Sequence, residues 1–231
     1  MVPLVQFADC VRAISATQLD LVGVGLEFPP GLAQRLREFD EVISWYGSNR
    51  AEFRSEMTAV HPRCTFLQAL PDDSWHEYAA DFFLRQVGGP LGLSPSIGGA
   101  AATERRHSVL IQPFSGSASK NWPLENYREL AERLPIPVEW IAGPEETLAG
   151  ATRFENLLDL AHWMRGAAIY LGNDSGIAHL AAAIGLPGVI LFGPTNPVVW
   201  GPRSEKIRIL HHQPLNELPV ETVLQALTVA D

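Results

Sequence analysis

From His107 onward, short apolar runs alternate with longer segments whose apolar residues recur at helical spacing. The runs His107–Gln112, Val138–Ala142, Ala168–Leu171, Gly188–Phe192 and Lys206–Leu210 have the length and continuity of buried strands. Pro123 stands where a helix opens, and Leu124, Tyr127, Leu130, Ala131 and Leu134 give its stripe over Leu124–Leu134. Leu157, Leu160, Ala161 and Met164 mark another helix, followed by helices over Ile177–Ile184 and Val220–Leu227. Strands alternating with helices over short connections predict a parallel sheet wrapped by helices. Right-handed crossovers then bring every strand-to-helix loop to one edge of that sheet.

The first half repeats the rhythm more weakly. Leu19–Val24, Glu41–Trp45 and Thr65–Gln68 read as strands, and Leu32–Arg37, Ala51–Met57 and Trp75–Gln86 as helices. Gly88 to Arg106 is rich in Gly, Pro, Ser and Ala and has no periodicity, so it reads as a linker. The predicted organisation is an α/β unit over residues 1–90, a linker over 91–106 and a second unit over 107–231.

Composition narrows the function. The chain has 231 residues, 46% of them hydrophobic, and a mean hydropathy of +0.04, as in ordinary globular proteins. It contains no apolar run long enough to span a bilayer and no basic segment leading into an apolar leader. A cytoplasmic location is expected, with peripheral contact to a membrane left open. The two cysteines, Cys10 and Cys64, match no metal or redox spacing and read as reduced thiols. Histidines show no metal-binding spacing either, so no metal site is expected. Seventeen basic against 26 acidic residues give a net charge of -9. That balance argues against nucleic acid as a partner, and any anionic ligand must be held by local groups.

Those groups cluster in three places. In Gly172–Pro202, Asp174, Ser175 and Gly176 fall where a strand hands over to a helix. The first helical N–H groups lack intrahelical partners there and can face a phosphate. Asp174 also reads as a plain N-cap, and His179 faces either a ligand or the helix packing. The next strand delivers Gly193, Pro194 and Thr195 to the same edge, where open α/β sheets bind ligands. In FSGSASKNWP, Ser115, Gly116 and Ser117 offer hydroxyls and backbone N–H groups, and Lys120 a cation. The same loop also reads as a polar turn, with Trp122 as a packing residue. No GxxxxGK[ST] is present, and Pro113 occupies the first Gly position of a nucleophile elbow. In AGPEE, a carboxylate of Glu145 or Glu146 suits paired ribose hydroxyls or simply a solvated turn. Arg153 and Phe154 follow, placed either to contact a base or, for Phe154, to pack in the core.

Together, FSGSASKNWPLENYRELAERL, AGPEE and GNDSGIAHLAAAIGLPGVILFGPTNPVVWGP resemble glycosyltransferase family 9, the heptosyltransferases of lipopolysaccharide core assembly. That family carries a serine/glycine loop with K-x-W-P, a D-[ST]-G-x-x-H-L-A-A-A block and an F-G-P-T-x-P block, in this order. The resemblance covers His107 to Leu210. It implies a GT-B fold of two Rossmann-like units, here with the N-terminal one abbreviated. By the same resemblance, Ser115, Gly116, Ser117 and Lys120 would meet the donor diphosphate or sugar, and Glu145 the ribose. Asp174 would contact the transferred sugar, Ser175 and Gly176 the diphosphate, with His179 beside them. Pro194 and Thr195 would line the opposite wall. Such enzymes are metal-independent and inverting, use a nucleotide sugar (here most simply an ADP-sugar) and act on a glycan or lipid-linked acceptor. Their base is an Asp in an N-terminal Gly-Asp motif. The nearest counterpart here is Asp9, after Ala8 instead of Gly. A nucleotide-sugar-binding relative without a base is therefore the alternative, and an unrelated doubly wound binder of a phosphorylated metabolite a third.

Overall fold

The computed structural model describes residue 4 and residues 8–98 and 104–228. The elements in chain order are α1 (Ile14–Thr17), α2 (Pro30–Leu36), β1 (Val42–Ser44), α3 (Ala51–Val60), β2 (Cys64–Phe66) and α4 (Ala79–Gln86). They continue as β3 (Val109–Gln112), α5 (Leu124–Arg133), β4 (Val138–Trp140), α6 (Leu157–Met164), β5 (Ile169–Asn173) and α7 (Gly176–Ala183). The last are β6 (Gly188–Phe192), α8 (Pro197–Trp200), β7 (Ile207–His211) and α9 (Val220–Thr228).

The second half forms a five-stranded sheet in the order β4-β3-β5-β6-β7, parallel throughout. β3, β5 and β6 are buried along their whole length, as the continuous apolar runs require. Their residues alternate between two cores. Val109, Ile111, Leu171 and Val189 face Tyr127 and Leu130 of α5 and Val223 and Ala226 of α9. Leu110, Tyr170 and Ile190 face Leu160 and Met164 of α6 and Ala178 and Ala181 of α7. The sheet is thus covered on both faces. The order reverses between β3 and β5, because β4 lies outside β3 while β5 to β7 run the other way. At that switch point the loops leaving β3 and β5 turn to opposite faces and open a crevice.

The first half is thinner. β1 and β2 form a two-stranded parallel sheet with Val42 opposite Cys64, over a core of Val22, Leu32, Leu36, Phe53 and Met57. The strand expected at Leu19–Val24 is absent. Leu19–Leu21 is a 3-10 turn, and Gly23 has a φ of 72°. A Cβ there would meet the Phe53 nitrogen at 2.5 Å. The chain instead presses against the start of α3, where the Gly23 N–H donates to Glu56 and Arg50 donates to Val22 O. The helix expected from Trp75 starts only at Ala79.

The predicted linker is irregular where described, and residues 99–103 lie outside the described residues. It is nevertheless fastened to both halves. Asp81 accepts from Gly92 N–H at 2.9 Å, and Ile97 N–H donates to Ala183 O. Arg203 binds Asp81 through both terminal nitrogens and stacks over Tyr78 at 4.2 Å. This pair crosses from α4 to the loop after α8. Cys10 is exposed and Cys64 partly buried; burial raises the Cys64 thiol. Among the described residues no helix is long and apolar enough to cross a membrane.

Candidate functional site

A cleft of about 450 Å³ opens at the carboxyl edge of the sheet, within the range of small-molecule sites. At its polar end stand Gln112, Ser115, Gly116, Glu146, Ser175 and Gly176. Ser175 caps α7 by accepting from the Ala178 N–H at 3.3 Å. The Gly176 and Ile177 N–H groups, which no cap residue reaches, belong to residues that line the cleft. A Cβ on Gly176 would meet nothing within 4 Å, so the approach to this helix start is clear.

Two buried polar residues hold the architecture. Gln112 ends β3, and its Oε1 accepts from Tyr170 OH at 3.3 Å and Ser175 OH at 3.2 Å. Gly172 lets the tyrosine through, since a Cβ there would lie 2.2 Å from the Tyr170 oxygen. Asn173 ends β5 and is fully buried. Its Oδ1 accepts from Trp122 N–H at 3.0 Å and Tyr127 OH at 2.8 Å. Its Nδ2 donates to Pro113 O at 2.7 Å. Asn173 therefore pins both ends of the Pro113–Trp122 loop to the sheet. Trp122 is a packing residue, edge-on to Tyr127 at 4.9 Å.

Beside this cleft, Asp174 is 7% exposed. Its Oδ2 accepts from Lys120 Nζ at 2.8 Å and from Thr195 Oγ1 at 2.7 Å. Oδ1 accepts no hydrogen bond among the described residues. The folded chain so brings Lys120, Asp174 and Thr195, from three loops, into one cluster. Ser115 Oγ lies 2.7 Å from Asn121 Oδ1, and Ser117 Oγ 2.9 Å from Ser119 Oγ, which shapes the loop. His179 is one turn into α7 and keeps solvent access through the open cleft. Desolvation by the cleft walls lowers its pKa, opposed chiefly by the Asp174 carboxylate.

Other expected residues stand apart. Pro194 is exposed and lines a separate hollow with Ser119 and Asn216. Glu145 is exposed on its turn, and it is Glu146 that lines the cleft, its Oε2 accepting from Gly143 N–H at 2.5 Å. Arg153 braces this turn by donating to Glu146 O and Leu148 O, and Phe154 packs on Trp163 at 5.4 Å. Asp9 is exposed on a bend and does not line the cleft. Sequence reasoning passed over Gln112, Asn173 and Arg203. A polar residue closing an otherwise apolar strand was the available signal for the first two.

Residues 139–226, from β4 into α9, match the family model described as glycosyltransferase family 9 (heptosyltransferase). Over this stretch, less than half its length, the chain is similar to the heptosyltransferases of glycosyltransferase family 9. It is 37% identical over 98 residues to lipopolysaccharide heptosyltransferase 1 of Pseudomonas aeruginosa, covering 36% of this chain and 28% of that protein. Against lipooligosaccharide heptosyltransferase 2 of Haemophilus influenzae the identity is 33% over 115 residues, covering 40% and 32%. The matched sequence thus spans about a third of the length of these relatives. The fold extends further. The E. coli ADP-heptose lps heptosyltransferase II superposes with a TM-score of 0.65 at 19% identity, covering 87% of this chain and 79% of that one. E. coli heptosyltransferase WaaC with ADP gives 0.62 at 16% identity, covering 88% and 79%. The likeness shows the fold, which is GT-B-like as the resemblance implied.

Proposed function

We propose that this chain binds a nucleoside-diphosphate sugar, most simply an ADP-sugar such as ADP-heptose, and transfers the sugar to a glycan or lipid-linked acceptor in cell-envelope polysaccharide synthesis. The observation that carries this reading is the cleft at the switch point, which the uncapped start of α7 and the Ser115–Gly116 loop line together. Solved relatives are described with ADP and with ADP-2-deoxy-2-fluoro heptose, which supports the donor class.

In this reading the diphosphate sits on the start of α7, where the helix dipole and two N–H groups meet its charge. Lys120 keeps one N–H on Asp174 and has two more for a phosphate oxygen. Ser115, Gly116 and Ser117 close over the diphosphate, and the apolar cleft floor at Leu157, Ile177 and Leu180 takes the base. Glu145 or its neighbour Glu146 accepts the ribose hydroxyls. The free Oδ1 of Asp174 accepts from a sugar hydroxyl. Thr195 holds that carboxylate in place, with Pro194 next to it on the outer wall.

Transfer is inverting. A base takes the acceptor hydroxyl proton, the oxygen attacks the anomeric carbon, and the electron pair of the broken bond leaves on the nucleoside diphosphate. Lys120 and the α7 amides stabilise that leaving charge without a metal ion. Asp9 is the candidate base from the N-terminal half, and a cytoplasmic location fits a nucleotide-sugar donor.

One observation favours the alternative of a binder without turnover. Among the described residues, the only carboxylate lining the cleft is Glu146, from the C-terminal half. Calorimetric titration with ADP, UDP, GDP and NAD, followed by a transfer assay with ADP-heptose, separates the readings. Lys120→Ala should weaken nucleotide binding about ten- to hundredfold, the worth of one or two charge-assisted hydrogen bonds. Binding of one nucleotide with transfer that collapses in Asp9→Asn supports the enzyme. Binding without transfer supports the alternative, and no binding of any of the four removes both.

A further inference from the structure

At the opposite, amino-terminal edge of the sheet lies a second concavity, of about 540 Å³, enclosed by the segments entering β3, β5, β6 and β7. Arg105, Arg106, His107, Arg165 and Lys206 line it, and no acidic side chain does among the described residues. In a chain of net charge -9 that concentration needs a cause. Arg106 has one. Its Nε lies 2.9 Å from both Glu139 oxygens, and its guanidinium sits 4.3 Å over the Trp163 ring.

The other cations are under-used. Arg165 donates through one terminal nitrogen to Ile97 O at 2.6 Å, while its Nη1 is buried and has no partner among the described residues. Lys206 donates to Gly185 O at 3.2 Å, leaving two N–H groups. Arg105 is exposed and joins no ion pair among the described residues. α6 and α7 both end here, and cations near helix carbonyl ends are favourable. That accounts for Lys206 on Gly185 O. It does not account for Arg105 and Arg165, which line the same concavity with donors unpaired among the described residues.

We propose that this pocket is an anion site, separate from the donor cleft, that takes a phosphate group held by Arg105, Arg165 and Lys206. Three cations converging from different loops suit a multiply charged tetrahedral oxyanion better than a carboxylate, and the guanidinium forks match its oxygens. Because the two sites lie on opposite edges of the sheet, both can be filled together. The phosphate belongs either to a soluble phosphate compound or to a lipid headgroup.

The test uses the whole chain. Amide NMR shifts are followed on titration with inorganic phosphate, and co-sedimentation is measured with neutral vesicles against vesicles containing phosphatidic acid. Phosphate should move the amides of Gly166, Ala168 and Gly185. Arg105→Ser/Lys206→Ser should weaken the response at least tenfold, with an otherwise unchanged spectrum because both residues are exposed. Lys206→Arg should retain it. A response to free phosphate establishes a soluble ligand, and one to phosphatidic acid vesicles alone a headgroup; either supports the site. Silence in both arms overturns it. So does a response confined to Ser115 and Gly176, or one that survives the double substitution.

Discussion

Asn173→Ala is the sharpest test of how the cleft is built. The side chain is fully buried and holds three groups: Trp122 N–H at 3.0 Å, Tyr127 OH at 2.8 Å and Pro113 O at 2.7 Å. Truncation orphans two buried donors, since Trp122 is 1% and Tyr127 0% exposed. Each orphan costs about 1–3 kcal/mol, so the loss should be about 2–6 kcal/mol. For a chain of this size each kcal/mol lowers Tm by roughly 2–4 °C, giving a fall of roughly 4–24 °C. Chemical denaturation followed by tryptophan fluorescence reads the free energy, with the exposed Asn216→Ala as a control expected to stay within about 0.5 kcal/mol. Asn173→Asp keeps both acceptor contacts but sets a carboxylate oxygen against Pro113 O. That variant should recover stability as pH falls and the acid gains a proton to donate. A loss below about 1 kcal/mol in Asn173→Ala would refute the view that this residue pins the Pro113–Trp122 loop.

Gly176→Val should leave the melting temperature nearly unchanged, because its Cβ points into open space. The same change should weaken nucleotide binding at least tenfold by covering the start of α7, and calorimetry reads both directions. The Arg203 hydrogen bond, then the Gly92 N–H, hold the Asp81 carboxyl below the usual range. A depressed folded pKa gives stability that is present above the unfolded value, about 3.9, and lost as pH falls through the folded one. Asp81→Asn should therefore flatten the acid limb of the stability profile, measured by denaturation from neutral pH downward. Burial raises the Tyr170 phenol above its ordinary range. Its contribution is present below about pH 10 and lost as pH rises through the folded value, so Tyr170→Phe should shallow the alkaline limb.

The candidate site was legible where a residue's role is local. The strand-to-helix grammar predicts a capping side chain at the start of α7 but points to Asp174; the cap is Ser175, one position on, and Asp174 accepts from Lys120 and Thr195 instead. Asp174 was visible as a loop residue, but its pairing with Lys120 joins positions 54 apart in sequence. Gln112 and Asn173 were hidden because nothing nearby in sequence announces a partner 58 or 51 residues away. Glu145 and Glu146 were indistinguishable as letters. The turn after β4, braced by Arg153, decides that Glu146 faces the cleft.

The hydrophobic rhythm fixed the second half because β3, β5 and β6 are buried on both faces, so their apolar runs are uninterrupted. Periodicity is a local consequence of burial, and burial there leaves no choice. In the first half the signal misled at Leu19–Val24, where the apolar residues serve a turn packed on Phe53. Strand order was beyond any local signal. The reversal between β3 and β5, which opens the cleft, depends on which side of β3 the chain returns to. That choice is made by helices packing onto both faces at once, and so by the tertiary structure.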